Sequence, residues 1–312
     1  MSTISIVIPC YNVEDKIIRC LQSIKEQSFD DFTCYIIDDG SSDKTASIIK
    51  SFINEDNRFL YFYKDNGGQA SARNLGIELT KEPYITFIDS DDYVHQDYLL
   101  QLFTPFKTND IDMTACYFER VYENKVSVNN FTKQDLLLSK FPAVWGKLFK
   151  TEIIKNNNIE FPKGLWYEDL YFFAEVISHV NNIQIVDHSL YYYIQNKNST
   201  MYTYSDKIFD IYSIFNKFKN ENHIKKDVLE YLMIYHILVG TVFRASFKED
   251  FSTGTIKEIV SYVEKDNPRW FKNQFIKSQL SFFYKAYLWF LKTHQYGIVY
   301  IVLKIMNRHI SL

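Results

Sequence analysis

The chain has 312 residues, 46% hydrophobic and 23% charged, with a formal net charge of −3 and an aromatic fraction of 17% (26 Phe, 24 Tyr) against only 9 Gly and 6 Pro. Such a balance excludes disorder, low complexity and a solenoid repeat, and is long enough for one large domain plus an appendage, or two domains. The slight negative charge gives no reason to expect nucleic acid as a partner. Cys10, Cys20, Cys34 and Cys116 lack metal-ligand spacing; buried thiols are the default reading for such positions. No basic, apolar, small-residue leader precedes the first predicted strand, so the cytoplasm is the expected compartment.

Ile4–Pro9 is a nearly continuous apolar run, the pattern of a parallel strand covered on both faces. A helix is expected from about Val13 to Glu26, with Ile17, Leu21 and Ile24 along one face. A second strand, Phe32–Ile37, ends in Asp38-Asp39-Gly40-Ser41-Ser42-Asp43, which can cap a helix over Lys44–Ile53. A third strand, Phe59–Tyr63, leads through Asp65-Asn66-Gly67-Gly68 into a helix over Ala70–Leu79, and a fourth covers Tyr84–Ile88. This alternation predicts an α/β unit with a mostly parallel, Rossmann-like sheet and right-handed crossovers. The segments Pro9–Asn12, Asp38–Ser42 and Asp89–Asp92 then emerge at one edge of it, where open α/β sheets bind ligands.

Asp89-Ser90-Asp91-Asp92 puts three carboxylates at the end of an apolar strand. Charges desolvated there need a cation, and carboxylate oxygens suit Mg²⁺ or Mn²⁺ held between protein and substrate phosphates. A plain turn or helix cap is the competing reading. Neither a dinucleotide glycine fingerprint nor a Walker loop is present, which leaves metal and side chains to hold any phosphates.

Four stretches in order, Ser5-Ile6-Val7-Ile8-Pro9-Cys10-Tyr11-Asn12, Ile37-Asp38-Asp39-Gly40-Ser41-Ser42-Asp43, Asn66-Gly67-Gly68-Gln69-Ala70-Ser71-Ala72-Arg73-Asn74-Leu75-Gly76 and Asp89-Ser90-Asp91-Asp92, resemble the GT-A fold glycosyltransferases of family 2. The resemblance covers roughly the first 200 residues. It implies a nucleotide-sugar donor, usually UDP-linked, a divalent metal (Mn²⁺ or Mg²⁺) and transfer with inversion. Carried onto this sequence, Pro9, Tyr11 and Asn12 line the nucleoside pocket with the Tyr11 ring against uracil, and Asp39 accepts from the uracil N3–H. Asn66, Gly67 and Arg73 serve the base, ribose or diphosphate, the arginine as a charge-assisted fork. Asp89 and Ser90 stand on the donor side and Asp91 on the metal. Each has a plainer reading: Tyr11 as packing, Asp39 as a helix cap, Arg73 as a surface residue, Gly67 as a turn.

Asp112–Val121 reads as a strand, Tyr122–Asn130 as a hairpin or loop, and Gln134–Lys140 as a short helix before Val144-Trp145-Gly146-Lys147-Leu148-Phe149-Lys150. Trp145 contacts a sugar or packs the sheet. Glu168-Asp169 opens an aromatic helix; the helix dipole favours carboxylates there for structural reasons alone. Sugar transfer also needs a base for the acceptor hydroxyl, and the resemblance puts it on Asp169 with Glu168 orienting. Strands are expected at Ile183–Asp187 and Ser189–Ile194, followed by a loop in which Lys197 and Ser199 reach the diphosphate, although Gln195 stands where family members often carry a basic residue. His188 is a weaker candidate for the metal shell.

From Ser205 helical patterns take over, at Asp206–Asn220, Lys225–Phe247, Thr255–Lys265, Trp270–Thr293 and Tyr296–Arg308. The chain is therefore read as a catalytic domain over 1–204 and an all-helical domain over 205–312. The apolar run Val228–Val239 is too short and too interrupted for a membrane span. The aromatic helices call for a cover, with self-association favoured over an intramolecular cap or a peripheral membrane contact. The expected activity is transfer to a hydroxyl of a glycan, glycoprotein or surface polysaccharide. A non-catalytic scaffold of a glycosylation complex is the alternative.

Overall fold

The structure, a computed structural model, describes residues 2–54, 56–195, 204–221 and 223–310. The chain divides into two compact units, Met1–Gly164 with Glu168–Asn196, and Leu165–Tyr167 with Lys197–Leu312.

The first unit is built on β1 (Ile4–Cys10), whose seven residues are all buried, as a strand covered on both faces requires. It lies between β2 (Phe32–Asp38) and β4 (Tyr84–Phe87), parallel to both; β3 (Phe59–Tyr63) extends the sheet beyond β2. Past β4 come β8 (Lys147–Lys150), antiparallel, then β6 (Met113–Val121), β9 (Ile183–Ile194) and the short β5 (Tyr93–Val94), while β7 (Val126–Asn129) hairpins onto β6. The expected α/β architecture is present. The two strands expected around residue 188 are one. β9 runs through, and Asp187-His188 is taken up as an irregularity between the pairs Cys116↔Val186 and Tyr117↔Ser189, a bulge that leaves His188 exposed.

Helices α1 (Ile17–Lys25), α2 (Thr45–Ile53), α3 (Gln69–Leu79), α4 (Tyr98–Phe103), α5 (Lys133–Leu137), α6 (Thr151–Asn156) and α7 (Glu168–Ser178) complete this unit. α1 starts four residues later than its periodicity suggests. Val13 and Glu14 spend their N–H groups on Thr45 Oγ1 (2.8 Å) and Asp43 Oδ2 (3.2 Å) instead of a helical turn. α3 lies so close on β1 that a Cβ at Gly76 would fall 2.3 Å from Val7 Cγ1.

The second unit is helical: α8 (Asp210–Glu221), α9 (Lys226–Met233), a π-helical segment Ile234–Thr241, α10 (Val242–Ala245), α11 (Thr253–Asp266), α12 (Gln274–Gln279), α13 (Phe282–Lys292) and α14 (Tyr296–Ile310). Residues 226–245 form one unbroken helix, long and apolar enough to cross a membrane by those criteria alone. Its Tyr231, Leu232, Ile234, Ile237 and Leu238 are buried in the unit, with α11 and α13 packed on it and Tyr287 donating to the Leu238 carbonyl (2.9 Å). It is a core helix. The single helix expected over Trp270–Thr293 is broken instead. Asn273 caps α12 by accepting from Phe275 N, and donates to the Asp227 carbonyl and Glu230, and Leu280 turns extended before α13.

Candidate active site

The loops after β1, β2 and β3 are tied into one ledge. Asp38 is buried; its Oδ1 accepts from Ser41 N (2.9 Å) and its Oδ2 from Tyr61 (2.6 Å). Asn12, at φ 49°, accepts from Ser42 N (2.9 Å) and donates its own N–H to Ser41 Oγ (3.1 Å); Asn is among the few residues that tolerate that backbone. Asp39 reaches across to the next loop, accepting from Gly67 N at Oδ1 (2.9 Å), from Gly68 N at Oδ2 (2.7 Å) and from Lys64, while its carbonyl accepts from the Asn66 amide (2.9 Å). Gly40 makes this approach feasible: it sits at φ 77°, and a Cβ there would lie 2.8 Å from Asn66 N. Pro9 is buried within β1, whereas the Tyr11 ring stands 51% exposed at the rim. Asp39 thus fixes the Gly67-Gly68 turn, and its Oδ2 keeps one acceptor position for a further donor.

The acidic stretch after β4 divides its work. Asp89 Oδ1 accepts from Arg73 (2.7 Å) and Gln69 (3.2 Å). Ser90 is buried. Asp91 is partly open, with Lys16 at 3.6 Å; burial and the charge of Asp89 hold its carboxyl above the usual range against the pull of Lys16. Asp92, which the motif left without a role, is fully buried and accepts from the Tyr191 hydroxyl (2.8 Å) and Ile194 N (2.8 Å). The same hydroxyl accepts from Asp89 N (3.2 Å). Asp92 and Tyr191 therefore fasten the acidic loop to β9. Trp145 is only 8% exposed, stacked on Tyr191 (centroids 4.3 Å, 10°) with its edge near Phe118; it packs this fastening.

Arg73 joins the acidic loop to the second candidate stretch. It is 1% exposed, lies over the Phe161 ring (5.2 Å), and pairs through Nη2 with Asp89 (2.7 Å) and through Nη1 with Asp169 Oδ1 (2.5 Å). Its Nε is buried and finds no acceptor among the described residues. Glu168 and Asp169 form the first turn of α7, directly after Tyr167 at φ 67°, a backbone that is strained for a bulky residue. Burial pushes the Asp169 carboxyl up to about 7; Arg73 pulls it down, and the charges of Glu168 and Asp89 push it further up. Its side chain is still 28% exposed, open enough for a substrate to touch. Lys147, on β8, is a member of this cluster that no motif marked. It is buried, donates to the Ala143 and Phe141 carbonyls, and lies over the Phe173 ring (4.7 Å). Burial lowers its ammonium to about 8, while Cys116 and Asp169 pull it back up.

Of the residues expected to form the site, Asn12, Asp39, Asn66 and Gly67 fall on the ledge, with Tyr11 at its rim and Pro9 buried in the strand beneath. Arg73, Asp89, Glu168 and Asp169 form one charged cluster, and Trp145 lies in the packing beneath. Lys197 and Ser199 lie outside the described residues. Tyr191 and Lys147 escaped sequence reasoning because one Tyr of three in a row, and one Lys in a strand, carry no outward sign of burial. No group of three or more His, Cys, Asp and Glu is arranged to hold a metal among the described residues. The hard oxygen donors of Asp91 and Asp89 still fit Mg²⁺ or Mn²⁺ in the manner of an ion held largely by substrate phosphates and water.

An open α/β sheet with strand ends converging in this way binds ligands at that edge. Residues 5–163 match glycosyl transferase family 2, and the chain belongs to that family. Among curated proteins it is similar to glycosyltransferase GlyA of Streptococcus pneumoniae (29% identity over 225 residues, 65% of this chain and 32% of GlyA). It is also similar to the poly(ribitol-phosphate) beta-glucosyltransferase of Bacillus spizizenii (31% over 210 residues, 64% of this chain and 33% of that protein). The chain thus spans about a third of each of these relatives. S. aureus TarS 1–349, solved in complex with UDP-GlcNAc, shares the fold with a TM-score of 0.74 at 18% identity, over 98% of this chain and 92% of that one. The mannosyltransferase PcManGT of Pyrobaculum calidifontis, solved with GDP-Man and Mn²⁺, aligns with a TM-score of 0.59 at 13% identity over 96% and 86%. The chain is thus a member of a glycosyltransferase family with a GT-A-like sheet.

Proposed function

We propose that this enzyme moves a sugar from a UDP-sugar to a hydroxyl of a glycan, glycoprotein or surface-polysaccharide acceptor, inverting the anomeric carbon. The observation that carries the reading is Arg73 pairing at once with Asp89 of the donor loop and Asp169 of the acceptor-side helix. UDP as the carrier is supported by the open Tyr11 ring, by the lone pair left on Asp39, and by TarS, solved with UDP-GlcNAc and with UDP. A hydroxyl of a polymer as acceptor accords with the name of the B. spizizenii relative.

The uracil ring lies on Tyr11, with its N3–H toward Asp39, and Asn12 and Gly67 hold the walls of that pocket. Arg73 gives the diphosphate the Nε–H that has no acceptor among the described residues. Asp91 would hold a divalent ion, which would supply charge neutralisation for the departing diphosphate. The acceptor oxygen attacks the anomeric carbon from the face opposite UDP and its proton passes to Asp169. The bond from that carbon to the phosphate oxygen breaks, and UDP leaves with the electron pair. Glu168 orients the acceptor. A base held near 7 is matched to this task at neutral pH.

A screen of UDP-sugars with Mn²⁺ or Mg²⁺, following UDP release, tests the reading. Release should depend on the metal, and Asp91→Ala should lose metal-dependent UDP binding in a titration. Failure of every UDP-sugar to turn over, or undiminished metal-dependent binding by Asp91→Ala, would overturn it.

A further inference from the structure

Beyond Asp266 the sequence contains no Asp or Glu to its end, while Lys277, Lys285, Lys292, Lys304 and Arg308 recur through α12–α14. The same helices carry large apolar side chains in the open. Phe282 is 86% exposed, and Phe283, Trp289, Ile298, Ile301 and Ile305 are all exposed. Phe282 and Trp289 stand seven residues apart along α13, and Ile298, Ile301 and Ile305 follow one another at helical spacing along α14; each set makes a stripe. The opposite faces are used: Tyr287, Leu288 and Leu291 of α13, and Val299 and Leu303 of α14, are buried in the helical unit. The stripes are thus left over after the core is made. Lys285 donates to the Lys277 carbonyl (2.7 Å), which ties the start of α13 to α12. Lys292 pairs with Glu264 (3.0 Å), and Lys304 lies over the rings of Phe251 and Tyr300.

We infer that the α13–α14 face docks on an anionic lipid surface. The occupant follows from charge. A symmetric contact with a second copy would bring together two sets of helices that carry lysines and no carboxylate of their own, Glu264 being already paired with Lys292, whereas acidic headgroups complement the lysines and the acyl boundary accepts Phe, Trp and Ile. Self-association of the helical region, expected from the sequence, is the competing outcome of the test. The inference does not depend on the donor or the acceptor chosen above.

The test is co-sedimentation of the full chain with vesicles of phosphatidylcholine alone or mixed with phosphatidylglycerol. It is run at low and high salt, for the wild type, the triple variant Phe282→Ser/Ile301→Ser/Ile305→Ser and the pair Lys277→Gln/Lys285→Gln. The expected result is binding to the phosphatidylglycerol vesicles that weakens with salt and is absent with phosphatidylcholine alone. The triple variant should lose about tenfold or more in partitioning, the lysine pair should lose salt-sensitive binding, and both should keep the wild-type circular dichroism and melting temperature. Absence of binding to anionic vesicles, or binding untouched by both variants, would overturn the proposal. So would light scattering that shows a wild-type dimer dispersed by the triple variant, since the face would then join copies of this chain.

Discussion

Arg73 is the side chain through which the two halves of the site meet. It reaches Asp89, 16 residues away, and Asp169, 96 residues away, from a position with almost no solvent contact. The sequence marked all three residues, but only as separate contributors to donor and acceptor. Their ion pairs depend on the third dimension and were not legible. Because both partners lie under partial cover, removal of the guanidinium would leave facing carboxylates without a counter-charge. Arg73→Ala should cost about 3–5 kcal/mol of stability, read from the denaturant midpoint, and a wild-type midpoint would show that the pairs are worth little. Asp39 shows the converse. Its position in the motif was clear, yet its present work of accepting from the Gly67 and Gly68 amides involves a loop 28 residues on, which no local pattern displays.

At the scale of elements, the parallel half of the sheet was readable because β1 and β2 are nearly continuous apolar runs, and each is almost wholly buried. Errors arose where side chains compete with the backbone. Asn273 broke an apparently continuous helix, and the N–H groups of Val13 and Glu14 were diverted to loop residues. The bulge in β9 was misread as a strand break for a related reason: a polar Asp-His pair inside a strand looks like a turn. Close packing of α3 on β1 was equally hidden, since Gly76 in a helix suggests only flexibility. Gly76→Ala should destabilise by about 1–3 kcal/mol, because the added methyl meets Val7 and the core has to give. Thermal unfolding of the variant measures this, and an unchanged melting temperature would mean that α3 can shift away at no cost.

For the whole molecule, the sequence reading draws one boundary near residue 204, where strand patterns give way to helical ones. It does not capture Leu165–Tyr167, which fall in the helical unit although Glu168 begins a helix of the sheet unit. Trp166 N donates to Asp210 at the start of α8 (2.9 Å), a contact across 44 residues that sequence patterning does not reveal. The candidate base therefore follows directly on a segment held by the other unit. That base is the centre of the account, and the pH dependence of kcat/KM for the donor tests it most directly, since this quantity reports groups of the substrate-free enzyme. In the proposed mechanism Asp169 acts without its proton, and its carboxyl is pushed up to about 7, so kcat/KM should climb as pH rises through about 7. Asp169→Asn should bind UDP as the wild type does, lower turnover about 100- to 10,000-fold, and lose that rise. A profile that falls through the same range, or an Asp169→Asn enzyme that turns over at the wild-type rate, would contradict the account.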